Sequence, residues 1–201
     1  MPESESVQKL VRRQVRSPRS AALAGILFSL LIGASMFLLR GSAIVDPAQV
    51  SAEWLEAGSS TASVVLVLVP FAGIAFLWFT GVMRDLLGDR EDKFFATVFL
   101  GSGIVLVVML FVWGAAYGAI FGTYKLVADV ASDYDVLAYA SIFTSQIIGN
   151  YFLRMAGVYM LSTGSLWTRT QAVPRWLAIL TYNVALAFLL FAGVLRCARF
   201  I

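Results

Sequence analysis

Hydrophobic positions in this sequence fall into five long runs that are separated by short polar segments. Four of the runs contain no charged residue, and they cover residues 20–39, 62–83, 94–122 and 176–195. The fifth run, residues 136–161, contains one charged residue, Arg154. An α-helix needs about 20 apolar residues to cross the roughly 30 Å of hydrocarbon in a bilayer. The pattern therefore predicts an all-α protein, a polytopic bundle of five transmembrane helices.

The polar segments delimit one membrane domain with two short ends. We assign residues 1–19 to a basic cytoplasmic leader, residues 20–195 to the helix bundle and residues 196–201 to a tail. No sequence repeat and no linker rich in Pro, Gly or Ser divides the bundle. The first run is longer than the roughly 7–15 apolar residues of a cleavable signal peptide, so we expect an uncleaved anchor.

Basic residues are concentrated on one side of the predicted bundle. The leader and the connections between spans two and three and between spans four and five hold ten Lys and Arg residues. The two remaining loops hold two basic residues and six acidic ones. The positive-inside rule then places the N-terminus in the cytoplasm. The leader is either a solvated basic tail or an interfacial helix on anionic lipid.

Composition narrows the chemistry that the chain can perform. Charged residues make up 13% of the chain and mean hydropathy is +0.83, whereas a soluble domain has roughly 25% charged residues. The chain contains no His and one Cys, Cys197. These absences exclude His-ligated metal and haem sites, a Ser-His-Asp triad and a disulfide within one chain. We therefore predict no enzymatic activity, no cofactor, no metal site and no nucleic-acid partner.

The loop after the first span predicts a short helix at the membrane surface. Asp46 is suited to cap its N-terminus, and Pro47 is suited to its first position. Gly58 is a natural stop for this helix. Trp54 would then lie at the depth of the lipid headgroups.

The connection between spans two and three is the most compact polar signal in the chain. Gly88 is suited to end the second helix, and Asp89 is suited to cap the third. The result is a tight charged hairpin on the cytoplasmic side, with charged residues Arg84, Asp85, Asp89, Arg90, Glu91 and Asp92. These residues either cap helices and form solvated ion pairs, or they form a face on which a partner docks.

Three glycines follow one side of the third span. Gly114, Gly118 and Gly122 lie at positions i, i+4 and i+8, so one side of the helix has no side chains. Such a surface lets a second helix backbone approach closely. The pattern predicts helix packing, and the partner is either another helix of this chain or a second copy.

The fourth span carries a polar stripe. Gln146, Asn150 and Arg154 also lie at i, i+4 and i+8, which places them on one side of an α-helix. An arginine in the middle of a span costs about 2.5–3.5 kcal/mol on insertion scales. We therefore expect Arg154 to face the bundle and to contact Asp85 or Asp92. The stripe is either a buried ion pair with polar neighbours that fixes helix register, or a polar path that binds anions.

Two segments resemble a known group of proteins. The first contains Arg84-Asp85, Gly88 and the run REDKFFATVFLGSG at residues 90–103. The second contains Tyr151, the run RMA at 154–156, Ser162-Thr163, Arg169 and the run PRWLA at 174–178. Both are similar to a family of small polytopic membrane proteins from actinobacteria and related bacteria. This resemblance implies a location in the bacterial plasma (inner) membrane.

The resemblance implies that the charged hairpin and Arg154 belong to one shared pattern. It implies no catalytic, cofactor-binding or substrate-binding residue. It also implies a further apolar span after the PRWLA helix, and we expect this sixth span to be absent here.

Two classes of function are compatible with these features. The first is an accessory, assembly or interaction subunit of a bacterial membrane complex, with membrane lipids, a second copy or another membrane protein as partners. The alternative is a small transporter or channel subunit that uses the polar stripe of the fourth span. A membrane enzyme is least favoured because no nucleophile–base pair is visible in the sequence.

The five-span topology can be tested with reporters fused on either side of the last span. We expect a reporter at Gln171 to be cytoplasmic and one at Ile201 to be periplasmic, because the span at residues 176–195 separates them. Alkaline phosphatase, which is active only outside the cytoplasm, and a fluorescent protein that matures inside it provide complementary measurements. If both reporters are on the same side of the membrane, residues 176–195 do not cross it and the five-span topology is wrong.

Overall fold

A computed structural model describes residues 18–39, 52–87, 93–126, 134–170 and 173–200. Within these residues the chain is helical and contains no strand, which confirms the predicted all-α class. The helices are α1 (Pro18–Leu39), α2 (Ala52–Leu87), α3 (Lys93–Leu126), α4 (Tyr134–Gln146), α5 (Leu153–Thr170) and α6 (Arg175–Phe200). A π-helical segment, Ile147–Phe152, joins α4 directly to α5.

Four stretches of helix are long and apolar enough to cross a membrane, in agreement with four of the five predicted spans. They cover Arg19–Leu39, Gly58–Asp85, Phe94–Gly122 and Asp135–Thr168. The last of these contains α4, the π segment and α5. The fifth predicted span coincides with α6, whose apolar stretch, Arg175–Leu190, is shorter than the other four.

The helix α2 begins earlier than the sequence indicates. The predicted surface helix was expected to end at Gly58, but α2 is continuous from Ala52 through Gly58 to Leu87. Gly58 is buried. A glycine within a helix costs only about 1 kcal/mol relative to Ala, so a buried glycine that permits close packing need not end the helix. Asp46 and Pro47 lie outside the described residues.

The second and third helices form an antiparallel pair. Gly103 of α3 lies beside Thr80 of α2, and Gly114 lies beside Val69. Positions later in α3 thus pair with positions earlier in α2. This pair forms the centre of the bundle, and α1 packs on α2.

The continuous helix from α4 to α5 is antiparallel to α3. Phe99 of α3 stacks on Tyr159 of α5, with ring centroids 4.8 Å apart. At the other end of α3, Ile120 packs with Leu137 of α4. The helices α2 and α5 therefore run in the same direction. The last helix, α6, packs against α5.

Large apolar side chains cover much of the outer surface. In α1 the exposed fractions are 67% for Leu23, 66% for Leu30 and 71% for Phe37. Continuous apolar surface of this kind is rare on monomeric soluble proteins. The outer surface is thus compatible with contact with lipid, as expected of an integral membrane protein.

The predicted glycine stripe packs within the chain at two of its three positions. A Cβ added at Gly114 would lie 3.3 Å from Val69 Cγ1, and one at Gly118 would lie 2.7 Å from Leu66 Cδ1. Both partners are side chains of α2, so aliphatic groups fill the space that the sequence analysis assigned to a second backbone. Gly122 has no such neighbour within 4 Å.

The second and third glycines of this stripe give a matched test of helix packing. Gly118→Leu should lower the free energy of unfolding by about 1–3 kcal/mol, the usual cost of overpacking, because Leu66 occupies the space. Gly122→Leu should leave stability unchanged or raise it, since nothing lies within 4 Å of its Cβ position. Thermal unfolding in a mild detergent measures both. Equal effects at the two positions would contradict the observed packing.

Candidate functional site

The predicted polar stripe lies at the junction of α4 and α5. Gln146 is the last residue of α4, Asn150 lies in the π segment, and Arg154 is the second residue of α5. The side chains of Gln146 and Asn150 are half-buried, and that of Arg154 is exposed. The three residues are therefore neighbours along one continuous helix, but they differ in their surroundings.

The π segment changes the geometry of the stripe. In this segment the backbone N–H of Leu153 donates to the carbonyl of Ile148, an i to i+5 hydrogen bond. Each such turn contains more residues than an α-helical turn, so the α-helical spacing does not fix the angles between Gln146, Asn150 and Arg154. Single-turn π segments occur frequently at functional sites. No residue pattern in the chain marks this π segment, so the sequence does not predict it.

The orientation of Arg154 differs from the expectation that it faces the bundle. The contact between Thr80 and Tyr159 places these two residues at one depth. Because α2 and α5 run in the same direction, Arg154 lies five residues to one side of this level and Asp85 lies five residues to the other. Ten residues of helix correspond to roughly 15 Å along the axis. The structure thus separates Arg154 from Asp85, and both side chains are exposed.

The charged hairpin is described only at its first two residues. Arg84 and Asp85 lie near the end of α2 with exposed side chains. The remaining predicted members, Asp89, Arg90, Glu91 and Asp92, lie outside the described residues. The docking face that they are expected to form therefore stays a prediction, as does the contact between Arg154 and Asp92.

A buried polar contact that the sequence analysis missed joins α2 to α5. Thr80 Oγ1 lies 3.1 Å from the hydroxyl oxygen of Tyr159, and these residues are 0% and 7% exposed. The Tyr159 ring lies between Phe76 and Phe99, with centroid distances of 5.0 Å and 4.8 Å. The two partners are 79 residues apart, so no local pattern could have paired them.

Gly103 makes room for the Tyr159 ring. A Cβ added at this glycine would lie 3.1 Å from Cε2 of the ring. This was a signal available in the sequence, because a glycine inside an apolar helix often marks a close approach. The glycines that were predicted to make close contacts, Gly114, Gly118 and Gly122, do not include Gly103.

A second polar contact lies between α5 and α6. The Tyr182 hydroxyl donates to Ser165 Oγ at 3.2 Å, and Thr168 Oγ1 lies 3.5 Å from the same hydroxyl. Nearby, a Cβ added at Gly157 would lie 3.1 Å from the backbone oxygen of Ala185. The close approach to a backbone that the third span was expected to make therefore occurs on α5.

The polar groups of the site are the guanidinium of Arg154 and the side-chain amides of Gln146 and Asn150. Arg154 can bind a carboxylate or a phosphate through paired N–H donors. The described residues include no group of three His, Cys, Asp or Glu side chains that could hold a metal ion. No family model, curated protein or solved structure matches the chain, so we infer its function from its own residues.

The Thr80–Tyr159 contact can be measured with a double-mutant cycle. Thr80→Val and Tyr159→Phe should each lower the free energy of unfolding, because each single change leaves a buried hydroxyl unpaired. The double variant should lose less free energy than the sum of the two single losses. Hydrogen bonds between membrane helices couple by about 0.6–1.7 kcal/mol. Thr181→Val is the matched control, because Thr181 donates to the carbonyl of Leu177 in its own helix. If the losses of unfolding free energy measured in detergent for the Thr80 and Tyr159 variants simply add in the double variant, the contact is contradicted.

Proposed function

We propose that this chain is an integral protein of the bacterial plasma membrane that acts as an accessory, assembly or interaction subunit of a membrane complex. Its four long apolar helices and its exposed apolar surface support membrane insertion. In this proposal α6 is the fifth span. The basic residues of the leader and of two connections support a cytoplasmic N-terminus in this proposal.

The position of Arg154 carries the proposal. It lies near the middle of an apolar helical stretch of 34 residues, Asp135–Thr168, and roughly 21 Å along the axis from its C-terminal end. A charge at that depth costs about 2.5–3.5 kcal/mol on insertion scales. Because the side chain is exposed rather than turned into the bundle, we infer that a group from another molecule offsets this cost.

Exposed aromatic side chains on the helix that carries Arg154 fit a protein partner. Tyr139 and Tyr151, on the same continuous helix, are 71% and 56% exposed, and Phe143 is 42% exposed. Aromatic residues and arginine are the side chains that most often dominate protein interfaces. A partner helix with an Asp or Glu at the depth of Arg154 would supply the opposite charge.

The transporter or channel reading is the alternative, and one observation favours it. Gln146 and Asn150 are half-buried beside a π segment, and amides at such positions can line a polar path. The pathway would need walls from other copies, because the stripe reaches the exposed side of the chain at Arg154. A ring of identical subunits is therefore the arrangement that this alternative requires.

Purification in a mild detergent tests the proposal. We expect the native mass to include a second protein in fixed ratio, and we expect Arg154→Gln to weaken that complex. Truncating one partner of a buried charge pair costs about 2 kcal/mol or more, which raises Kd roughly 30-fold. Arg154→Lys keeps the charge and should retain part of the affinity. Arg175→Gln is the matched control, since Arg175 is an exposed arginine at the start of α6.

Three other outcomes would overturn the proposal. A closed ring of identical subunits that depends on Arg154 would favour the transporter or channel alternative. If the protein is extracted from its native membrane as a monomer without a partner, both the subunit proposal and the transporter or channel alternative are contradicted. Equal weakening by Arg154→Gln and Arg175→Gln would show that net charge, and not the position of Arg154, holds the complex together.

A further inference from the structure

The outward side of α6 carries a row of apolar side chains with one amide among them. Trp176, Leu180, Ala187 and Leu190 are exposed, and Asn183 is exposed between them. The row repeats at intervals of four and three residues, which is the spacing of the contact residues in a pair of helices that coil around each other. The row is therefore suited to contact one further helix along its length.

The row lies on a different side of α6 from the contacts that α6 makes with α5. Tyr182, Ala185 and Leu189 contact residues of α5. Successive residues of an α-helix are about 100° apart, so Asn183 lies roughly 130° around α6 from the middle of that contact side. Packing on α5 thus leaves the outward row uncovered.

The amide of Asn183 is only partly satisfied by the described part of the chain. Its Nδ2 donates to the carbonyl of Ile179 at 2.8 Å, the one hydrogen bond of this side chain among the described residues. An amide has two N–H donors and an oxygen acceptor, so one donor and the oxygen remain. Ser29 and Ser63 also face outward, but each uses its single O–H for a carbonyl of its own helix. Unpaired polar groups on an apolar surface are costly once that surface leaves water, which favours a polar group opposite Asn183.

A second copy of this chain supplies such a group. Copies of a membrane protein insert in the same direction, so a two-fold axis along the membrane normal brings each residue opposite its own equivalent at the same depth. Two amides suit this arrangement, because each can donate to the oxygen of the other. Two guanidinium groups do not, because like charges repel. The exposed Arg154 therefore requires a different molecule, whereas Asn183 is complementary to itself.

We propose that this chain forms a parallel homodimer through the outward row of α6, in which the Asn183 amide of each copy donates to the Asn183 amide oxygen of the other. Ala187 lies one turn from Asn183, and its small side chain lets the two helices approach closely. This proposal rests on the membrane insertion of α6 in the proposed function. It does not depend on the partner proposed for Arg154.

The affinity of the dimer tests the amide pair. Sedimentation equilibrium of the purified full chain in a density-matched mild detergent measures the dissociation constant. Asn183→Leu should raise this constant about ten-fold, because the hydrogen bonds between the helices are lost while an apolar side chain of similar size remains. Asn183→Gln keeps an amide and should raise it less. Ser29→Leu removes an exposed polar side chain from α1 and is the matched control, for which we expect no change.

Disulfide cross-linking in native membranes tests the geometry of the dimer. The one native cysteine, Cys197, is first replaced by Ser. Ala187→Cys should then give a linked dimer under mild oxidation, because the two-fold axis brings position 187 opposite itself. Ser29→Cys, at an exposed position on α1, should stay unlinked. Adding Asn183→Leu to Ala187→Cys should lower the linked fraction.

Three results would overturn the dimer. A chain that Ala187→Cys does not link in the membrane lacks this interface, and this variant retains the native Asn183, so a folding defect at that position does not obscure the result. A dissociation constant that Asn183→Leu leaves unchanged would assign the contact to another surface. Equal linking at Ala187→Cys and Ser29→Cys would reflect random collisions.

The same measurements separate this dimer from the function proposed for Arg154. A second protein bound in fixed ratio to a chain that does not dimerise would remove the dimer and leave the subunit proposal intact. A dimer that depends on Asn183 and contains no second protein would confirm the dimer and contradict the subunit proposal.

Discussion

The insertion of the Tyr159 ring between α2 and α3 fixes the depth of α5, and the remaining features of the candidate site depend on that depth. The ring lies between Phe76 and Phe99, Gly103 leaves room for it, and its hydroxyl contacts Thr80. Between membrane helices the hydrophobic effect gives no net attraction, so tight packing and a few polar contacts must hold them together. This one contact region combines both.

The position of Arg154 follows from this arrangement. With Tyr159 held inside the bundle, the side of α5 that carries Tyr159 faces α2 and α3, and Gly157 approaches α6 through the backbone of Ala185. Two sides of α5 are thus occupied by its own chain. The exposed side that remains is the one on which Arg154 lies. Rotating α5 to bury Arg154 would expose the Tyr159 hydroxyl to lipid, which would leave a polar group unpaired.

The sequence predicted where the helical spans lie better than which side of each helix faces the bundle. Run length alone identifies a span, because the hydrocarbon thickness sets it. Arg154 was expected to face the bundle because of its insertion cost, whereas its alignment with Gln146 and Asn150 was inferred from α-helical spacing. The π segment at Ile147–Phe152 breaks that spacing. Gly58 was expected to end a helix, yet α2 continues through it, and a glycine within a helix costs only about 1 kcal/mol relative to Ala. Which glycines meet another helix likewise depends on contacts between residues far apart in sequence.

The arginines of this chain pose two different physical problems, because they lie at different positions in their apolar stretches. Arg19 and Arg84 lie at the ends of their apolar stretches, where long side chains reach the headgroup region and lipid phosphates can neutralise them. Arg154 lies within its stretch, where headgroups are distant and the chain's own packing turns it outward. An anionic lipid suffices for the first pair, because a lipid carries its charge only at the membrane surface. A charge near the middle of the bilayer needs a polar or charged group held at that depth, and in the proposed function a helix of another protein provides it.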